Sequence, residues 1–272
     1  MIKLSATIIV YNGAQYLDYC IKSALQWCDH IYIAEGALKP YIEMGLPHRS
    51  NDGTLEILEK YKKTAPNIVT IAHTERPLSH HPLQYQMGLD WAKQVGADWH
   101  VIIDADEIYP STTQTVVRKM LERYKNSNKY SGRVYSYNFI NDFWHYYSGK
   151  YIRIARVTPD ATFVSSSMSA DNQVEWPEMS LPSDIMHGPI PSHVFEIPSS
   201  ARFFHYSYVK SRVHIEKKLE FVHRKDGNPL KGYNITDDGL FELPPDMPIY
   251  QFRGRHPKVM RDHPLCYMTK DF

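Results

Sequence analysis

Three carboxylates stand within four residues in Asp104-Ala105-Asp106-Glu107, directly behind the run Trp99-His100-Val101-Ile102-Ile103. Brought together they repel one another, and at an effective dielectric of about 20 each pair about 4 Å apart costs roughly 4 kcal/mol. A positive charge is therefore expected among them. Hard oxygen donors suit a divalent ion such as Mg²⁺ or Mn²⁺, typically held by one or two carboxylates together with phosphate oxygens of a substrate. The chemistry first suggested is a metal-bridged diphosphate. The same acids in a water-exposed turn would need no ion, and the motif alone leaves both readings open.

The elements around the motif favour a ligand site. The run before it is short, apolar and β-branched, which suits a strand buried on both faces of a parallel sheet. Open α/β sheets bind ligands at the carboxyl ends of such strands. Thr7-Ile8-Ile9-Val10 predicts another buried strand, and Tyr11-Asn12-Gly13 a turn. Leu17, Ile21, Ala24, Leu25 and Cys28 then line one helix face, and His30 to Ala34 forms a second strand. After a polar excursion from Glu35 to Ser50, Asp52 can cap a helix over Thr54 to Lys62. A third strand spans Asn67 to Ala72, and a helix with Leu83, Met87, Trp91 and Val95 four apart leads to the Asp-rich strand. Strands alternating with helices predict right-handed βαβ units and a mostly parallel sheet.

The segments Ala6 to Asn12, Ser50-Asn51-Asp52-Gly53-Thr54, Asp98 to Glu107, and Phe204-His205-Tyr206-Ser207-Tyr208-Val209-Lys210-Ser211 followed by Lys217 together resemble the family 2-like glycosyltransferases of the GT-A fold. The likeness runs in the family's order to near residue 220. It implies an α/β, Rossmann-like fold with a mostly parallel central sheet flanked by helices, and an irregular C-terminal acceptor or lid region. It also implies a nucleotide-diphosphate sugar donor, such as a UDP- or GDP-sugar, and Mn²⁺ or Mg²⁺. Asp104, Asp106 and His205 would form the metal site, with Asp106 the direct ligand and Asp104 and Ala105 beside the donor. Tyr11, Asn12, Glu35 and Asp52 would border the nucleotide. His205 packed among Phe203, Phe204 and Tyr206 as a plain core residue is the competing reading.

The chain departs from the family pattern in places. Glu35-Gly36-Ala37, with Leu38 to Arg49 inserted after it, replaces the acidic-acidic-Gly-Ser turn usual after the second strand. Tyr85-Gln86 replaces an Arg-Asn pair, so Gln86 is the candidate donor to ribose or phosphate, and Arg76, His80 or His81 could supply the missing charge. The resemblance implies an inverting transfer, which needs a base opposite the leaving group. Candidates are Asp171, Glu175 and Asp184, with Glu178 beside them; Glu175 is favoured because it neighbours Trp176, an aromatic platform for a sugar ring.

Composition sets outer limits. In 272 residues, 31 basic and 30 acidic side chains leave a net charge of +1, so charge does not suggest a nucleic-acid surface. Three cysteines without regular spacing argue for free thiols. No signal peptide or apolar run long enough to span a bilayer is seen, which leads to the expectation of a soluble, cytoplasmic protein. The expected organisation is a nucleotide-sugar half over 1–110, an acceptor half over 111–225 and a tail or lid over 226–272. In the second half, Lys129 to Phe139 and Tyr151 to Val157 read as strands, and Val209 to Val222 as a helix. The loop-like stretch 158–202 is where a carbohydrate, lipid-linked or protein acceptor should bind. Arg253, Arg255, His256, Lys258, Arg261 and His263 form a basic cluster in the tail, suited either to closing over phosphate or to plain solvation.

Other classes remain. A nucleotidylyltransferase of similar fold would need a basic Gly-rich loop where Tyr11-Asn12-Gly13 stands. A haloacid-dehalogenase-like phosphatase would place Thr or Val where Ile108 stands. A non-catalytic binder of sugars or nucleotides would share the fold.

Overall fold

A computed structural model describes residues 1–163, 193–226 and 233–269. Its first half alternates strands and helices: β1 (Leu4–Val10), α1 (Ala14–Ala24), β2 (His30–Glu35), the short α2 (Lys39–Glu43), α3 (Thr54–Thr64), β3 (Val69–His73), α4 (His81–Gln94) and β4 (Trp99–Asp104). Every residue of β1 is buried, as is all but the last residue of β4. Strands covered on both faces account for the continuous apolar runs in the sequence. β3, β2, β1 and β4 lie side by side in that order and in parallel.

The second half adds β5 (Glu107–Ile108), α5 (Ser111–Tyr124), β6 (Ser131–Ile140), β7 (His145–Arg156), β8 (Val194–Glu196), β9 (Arg202–Tyr208) and α6 (Arg212–Asp226). β7 joins β4 antiparallel, and the same sheet continues through β6 and β9 to β5. The tail contributes a small hairpin, β10 (Asn234–Ile235) with β11 (Phe241–Glu242), and β12 (Tyr250–Gln251), which pairs with β7. Phe252 and Met260 bury themselves in the main core. The described part of the tail therefore packs along the sheet.

Two predicted elements need correction. The helix expected from Val209 begins at Arg212, because β9 runs on to Tyr208. In α4 the fully buried face is Gln84, Gly88, Leu89 and Ala92, while Met87 and Trp91 are partly buried at its flank against Ile9 and Tyr32. A Cβ on Gly88 would lie 1.6 Å from Thr7 Oγ1, so the helix touches β1 through a missing side chain. Apolar spacing cannot show such a contact.

Candidate active site

The turn Ala105-Asp106 leaves the carboxyl end of β4, and Asp104 and Asp106 border a cleft of about 310 Å³. Its walls include Tyr11, Asn12, Asp52, Ala105 and His205, all expected from the sequence, and also His81, Gln84, Tyr85, Lys210, His214 and Lys218. Sheet register brings the two distant motifs together. Glu107 stands opposite His205 in the β5–β9 pair, and Asn138 stands opposite the same His205 in the β6–β9 pair. The histidine is thus delivered beside the acidic turn by its neighbours on both sides.

His205 of the second motif faces Asp106 of the first. His205 Nδ1 lies 2.9 Å from Asn138 Oδ1, an acceptor, so that nitrogen carries the proton. Nε2 then presents a lone pair, and it lies 3.3 Å from Asp106 Oδ1. Two acceptors at that distance need a proton or a cation between them. Two neighbouring ligands of an octahedral ion with bonds of about 2.1 Å lie about 3 Å apart, so this pair fits a divalent ion. Lys210 Nζ is 2.6 Å from Asp106 Oδ2. Burial opposes the Asp106 charge, yet Lys210 and His205 outweigh it and hold the carboxyl well below the usual carboxylate range.

Asp104 is satisfied by the chain itself. Tyr85 donates its hydroxyl to Oδ1 at 2.8 Å, and Arg153 Nη2 donates to Oδ2 at 2.9 Å. Burial raises its pKa, but Arg153, with His205, brings it below its ordinary value. Glu107 is fully buried and takes the same Arg153 nitrogen. Asp104, Glu107 and His205 each bring one potential ligand atom within 4.8 Å of the others.

The turn Ser50 to Thr54 is locked onto the loop after β1. Ser50 Oγ accepts from Asn12 N at 2.9 Å, Asn12 Oδ1 from Asn51 N at 2.9 Å, Thr54 Oγ1 from Gly13 N at 2.9 Å, and Asp52 Oδ2 from Ala14 N at 3.0 Å. Asp52 Oδ1 also accepts from Thr54 N at 3.1 Å, a turn bond leading into α3. The helix N-cap itself is Gly53, at φ of 99° and without a side-chain cap, not Asp52 as its sequence position suggested. Asn12 adopts a left-handed backbone with φ of 47°. Above this floor, Tyr41 of the inserted α2 lies between Tyr11, 5.0 Å away between ring centres, and Phe221 of α6, at 4.3 Å.

Two candidates sit elsewhere. Glu35 is fully buried behind the cleft, where Oε1 accepts from Ser50 N at 2.8 Å and Oε2 from Arg49 at 3.0 Å and pairs with His73 at 2.8 Å. Its carboxylate holds the inserted segment in place. Gln86 bonds Asp90 at 2.7 Å and accepts from Phe163 N at 2.6 Å; Gln84 and Tyr85 face the cleft instead. Lys218, rather than Lys217, reaches the rim. Arg253, Arg255, Lys258 and Arg261 are exposed and outside the cleft lining, while His263 is buried. Asp171, Glu175, Trp176, Glu178 and Asp184 lie outside the described residues. Arg153 was missed as a site residue; its only signal was a charge between Ile152 and Ile154.

A family model described as glycosyl transferase family 2 matches residues 5–172, more than half of the chain. The chain belongs to glycosyl transferase family 2. Among solved structures, glucosyl-3-phosphoglycerate synthase from Mycobacterium tuberculosis, in complex with Mn²⁺, UDP and glucosyl-3-phosphoglycerate, is 10% identical, with 92% of this chain and 87% of that chain covered and a TM-score of 0.40. TarS 1–349 from S. aureus is 15% identical over 50% of this chain and 36% of that one, with a TM-score of 0.36. A cytidylyltransferase from Leptospira borgpetersenii is 14% identical over 58% and 61%, with a TM-score of 0.33. The match thus spans about a third of the TarS chain and under two thirds of the cytidylyltransferase. No curated protein gives a sequence match. Among the described residues, no helix is long and apolar enough to cross a membrane.

Proposed function

We propose that this family 2 chain is a metal-dependent glycosyltransferase that takes a UDP- or GDP-sugar into the cleft at the ends of β1 and β4 and moves the sugar to an acceptor hydroxyl with inversion. The observation that carries the reading is the Asp106–His205 pair, 3.3 Å apart with the histidine's other nitrogen held by Asn138. Those two residues would hold Mn²⁺ or Mg²⁺, which when bound supplies a Lewis acid for the charge that develops on a departing diphosphate.

The chain's own residues do the rest. Lys210 and Lys218 offer positive charge on one side of the cleft, with His214, whose pKa burial and Lys210 lower, as a neutral imidazole beside them, a set suited to phosphate oxygens. Tyr11 and Asn12 border the nucleotide, and Asp104, fixed by Tyr85 and Arg153, faces the ribose. An inverting transfer needs a base opposite the leaving group, and Asp171, Glu175 and Asp184 are the proposed candidates. The acceptor is a carbohydrate, a lipid-linked sugar or a protein, bound on the side of the 158–202 segment.

Linkage supplies the test. A ligand present at about 100 times its Kd stabilises a protein by about 2.7 kcal/mol, which in a chain of this size raises Tm by roughly 5–10 °C. UDP or GDP with Mn²⁺ is expected to give such a shift, and Asp106→Ala to abolish its metal-dependent part. No shift with any nucleotide, with or without Mn²⁺, would refute the reading.

A further inference from the structure

The β4–β7 pair places a guanidinium beside the acidic turn, at the residue before Ile154, which stands opposite Val101. Arg153 Nη2 donates to Asp104 Oδ2 at 2.9 Å and to Glu107 Oε1. Its side chain is only 10% exposed, and the rings of Tyr151 and Phe203 lie 5.0 and 5.8 Å from its Cζ. Arg153 Nε is buried with no hydrogen-bond partner. A buried donor left unpaired costs stability, so Arg153 is held here by its carboxylate partners and flanking rings, not by a complete set of hydrogen bonds.

The same place has the dimensions of an ion site. Ligand atoms on opposite sides of one divalent ion lie two bonds apart, about 4.2 Å for Mg²⁺ and up to about 5 Å for Ca²⁺. Asp104, Glu107 and His205 fall within 4.8 Å. Yet the histidine has no nitrogen left for them, since Nδ1 is bound to Asn138 and Nε2 faces Asp106. The other two already share a cation. We infer that Arg153 is a built-in replacement for a metal ion at the Asp104–Glu107 pair, a positioning residue that confines ion binding to the Asp106–His205 edge.

The inference rests on the glycosyltransferase reading only for the purpose of the cleft, because the ion count needs no nucleotide. Full-length protein is titrated with Mn²⁺ alone, and bound ions are counted by calorimetry and by the electron paramagnetic resonance signal of free Mn²⁺. Wild type takes no more than one ion per chain. Arg153→Gln takes one more than wild type, and adding Glu107→Gln removes the extra ion. If Arg153→Gln unfolds in metal-free buffer, Mn²⁺ restores its native circular dichroism, because the ion takes the place of the guanidinium. Two ions on wild type, a folded Arg153→Gln with no additional ion, or an Arg153→Gln that stays unfolded in Mn²⁺ would each overturn the inference. Failure of the glycosyltransferase reading looks different: nucleotides give no response while these ion counts stand.

Discussion

Glu35 ends β2 at the position where a nucleotide ligand was expected, and substituting it separates a ligand role from a structural one. Glu35→Ala removes the acceptor of three groups: the buried Ser50 N–H, Arg49 and His73. A hydrogen bond to a charged group contributes about 1.5–3 kcal/mol, and the Ser50 N–H loses all of it. Arg49 and His73 are 44% and 41% exposed, so water takes over most of their share and about 1 kcal/mol suffices for both. The expected loss is about 2–4 kcal/mol, measured as a lower urea midpoint at unchanged slope. Glu35→Gln keeps an acceptor for Ser50 N and is expected to lose about half as much. Because Ser50 Oγ also binds Asn12 N, nucleotide affinity should fall in proportion to the stability lost. A Glu35→Ala protein as stable as wild type but unable to bind nucleotide would refute the structural assignment.

His100 carries a pH signature. Burial pushes its pKa down to about 3, with Ser5 Oγ and Thr7 Oγ1 each 2.8 Å from a ring nitrogen. Below the unfolded value near 6.5 the unfolded chain takes up a proton that the folded chain refuses, so stability is full above that pH and falls toward about pH 3. By pH 5 the loss is about 2 kcal/mol. The difference in urea-unfolding free energy between wild type and His100→Gln should therefore change by that amount from pH 7 to pH 5, and a constant difference would contradict it. Gly88→Ala places a methyl 1.6 Å from Thr7 Oγ1 and is expected to destabilise by about 3 kcal/mol. It should also weaken nucleotide binding, since α4 carries His81, Gln84 and Tyr85 to the cleft; a Tm within a degree of wild type would exclude that packing.

What could be read in advance follows from how local each feature is. The Asp-rich turn was legible because Trp99 to Ile103 is short, apolar and β-branched, and a buried parallel strand needs little else. The turn bond of Asp52 was legible for the same reason, its partner Thr54 being two residues away, although the cap position itself falls to Gly53. Gln86 was named from its place in the family pattern, and its bonds to Asp90 and to Phe163 N had no local signal. The apolar stripe through Leu83, Met87 and Trp91 marks only the flank of α4, whose close approach to the sheet is the side-chain-free Gly88. The partners of Glu35 come from residues 49, 50 and 73, and those of Arg153 from the turn after another strand. Neither set has a local pattern to reveal it.

The placement of β9 between β6 and β5 governs when the cleft becomes competent. The parallel strands β3, β2, β1 and β4 involve only the first 104 residues and carry Asp104 at the end of β4, with the Arg153 that holds it supplied later by β7. His205 arrives only once a strand from the far end of the chain has docked, and a slip of one residue in that docking would turn the imidazole to the opposite face and bring Phe204 or Tyr206 in its place. On the proposed metal-dependent reading, a partly assembled chain would own the Asp106 half of the grip without its nitrogen, and firm capture of an ion would report completed folding of the whole sheet.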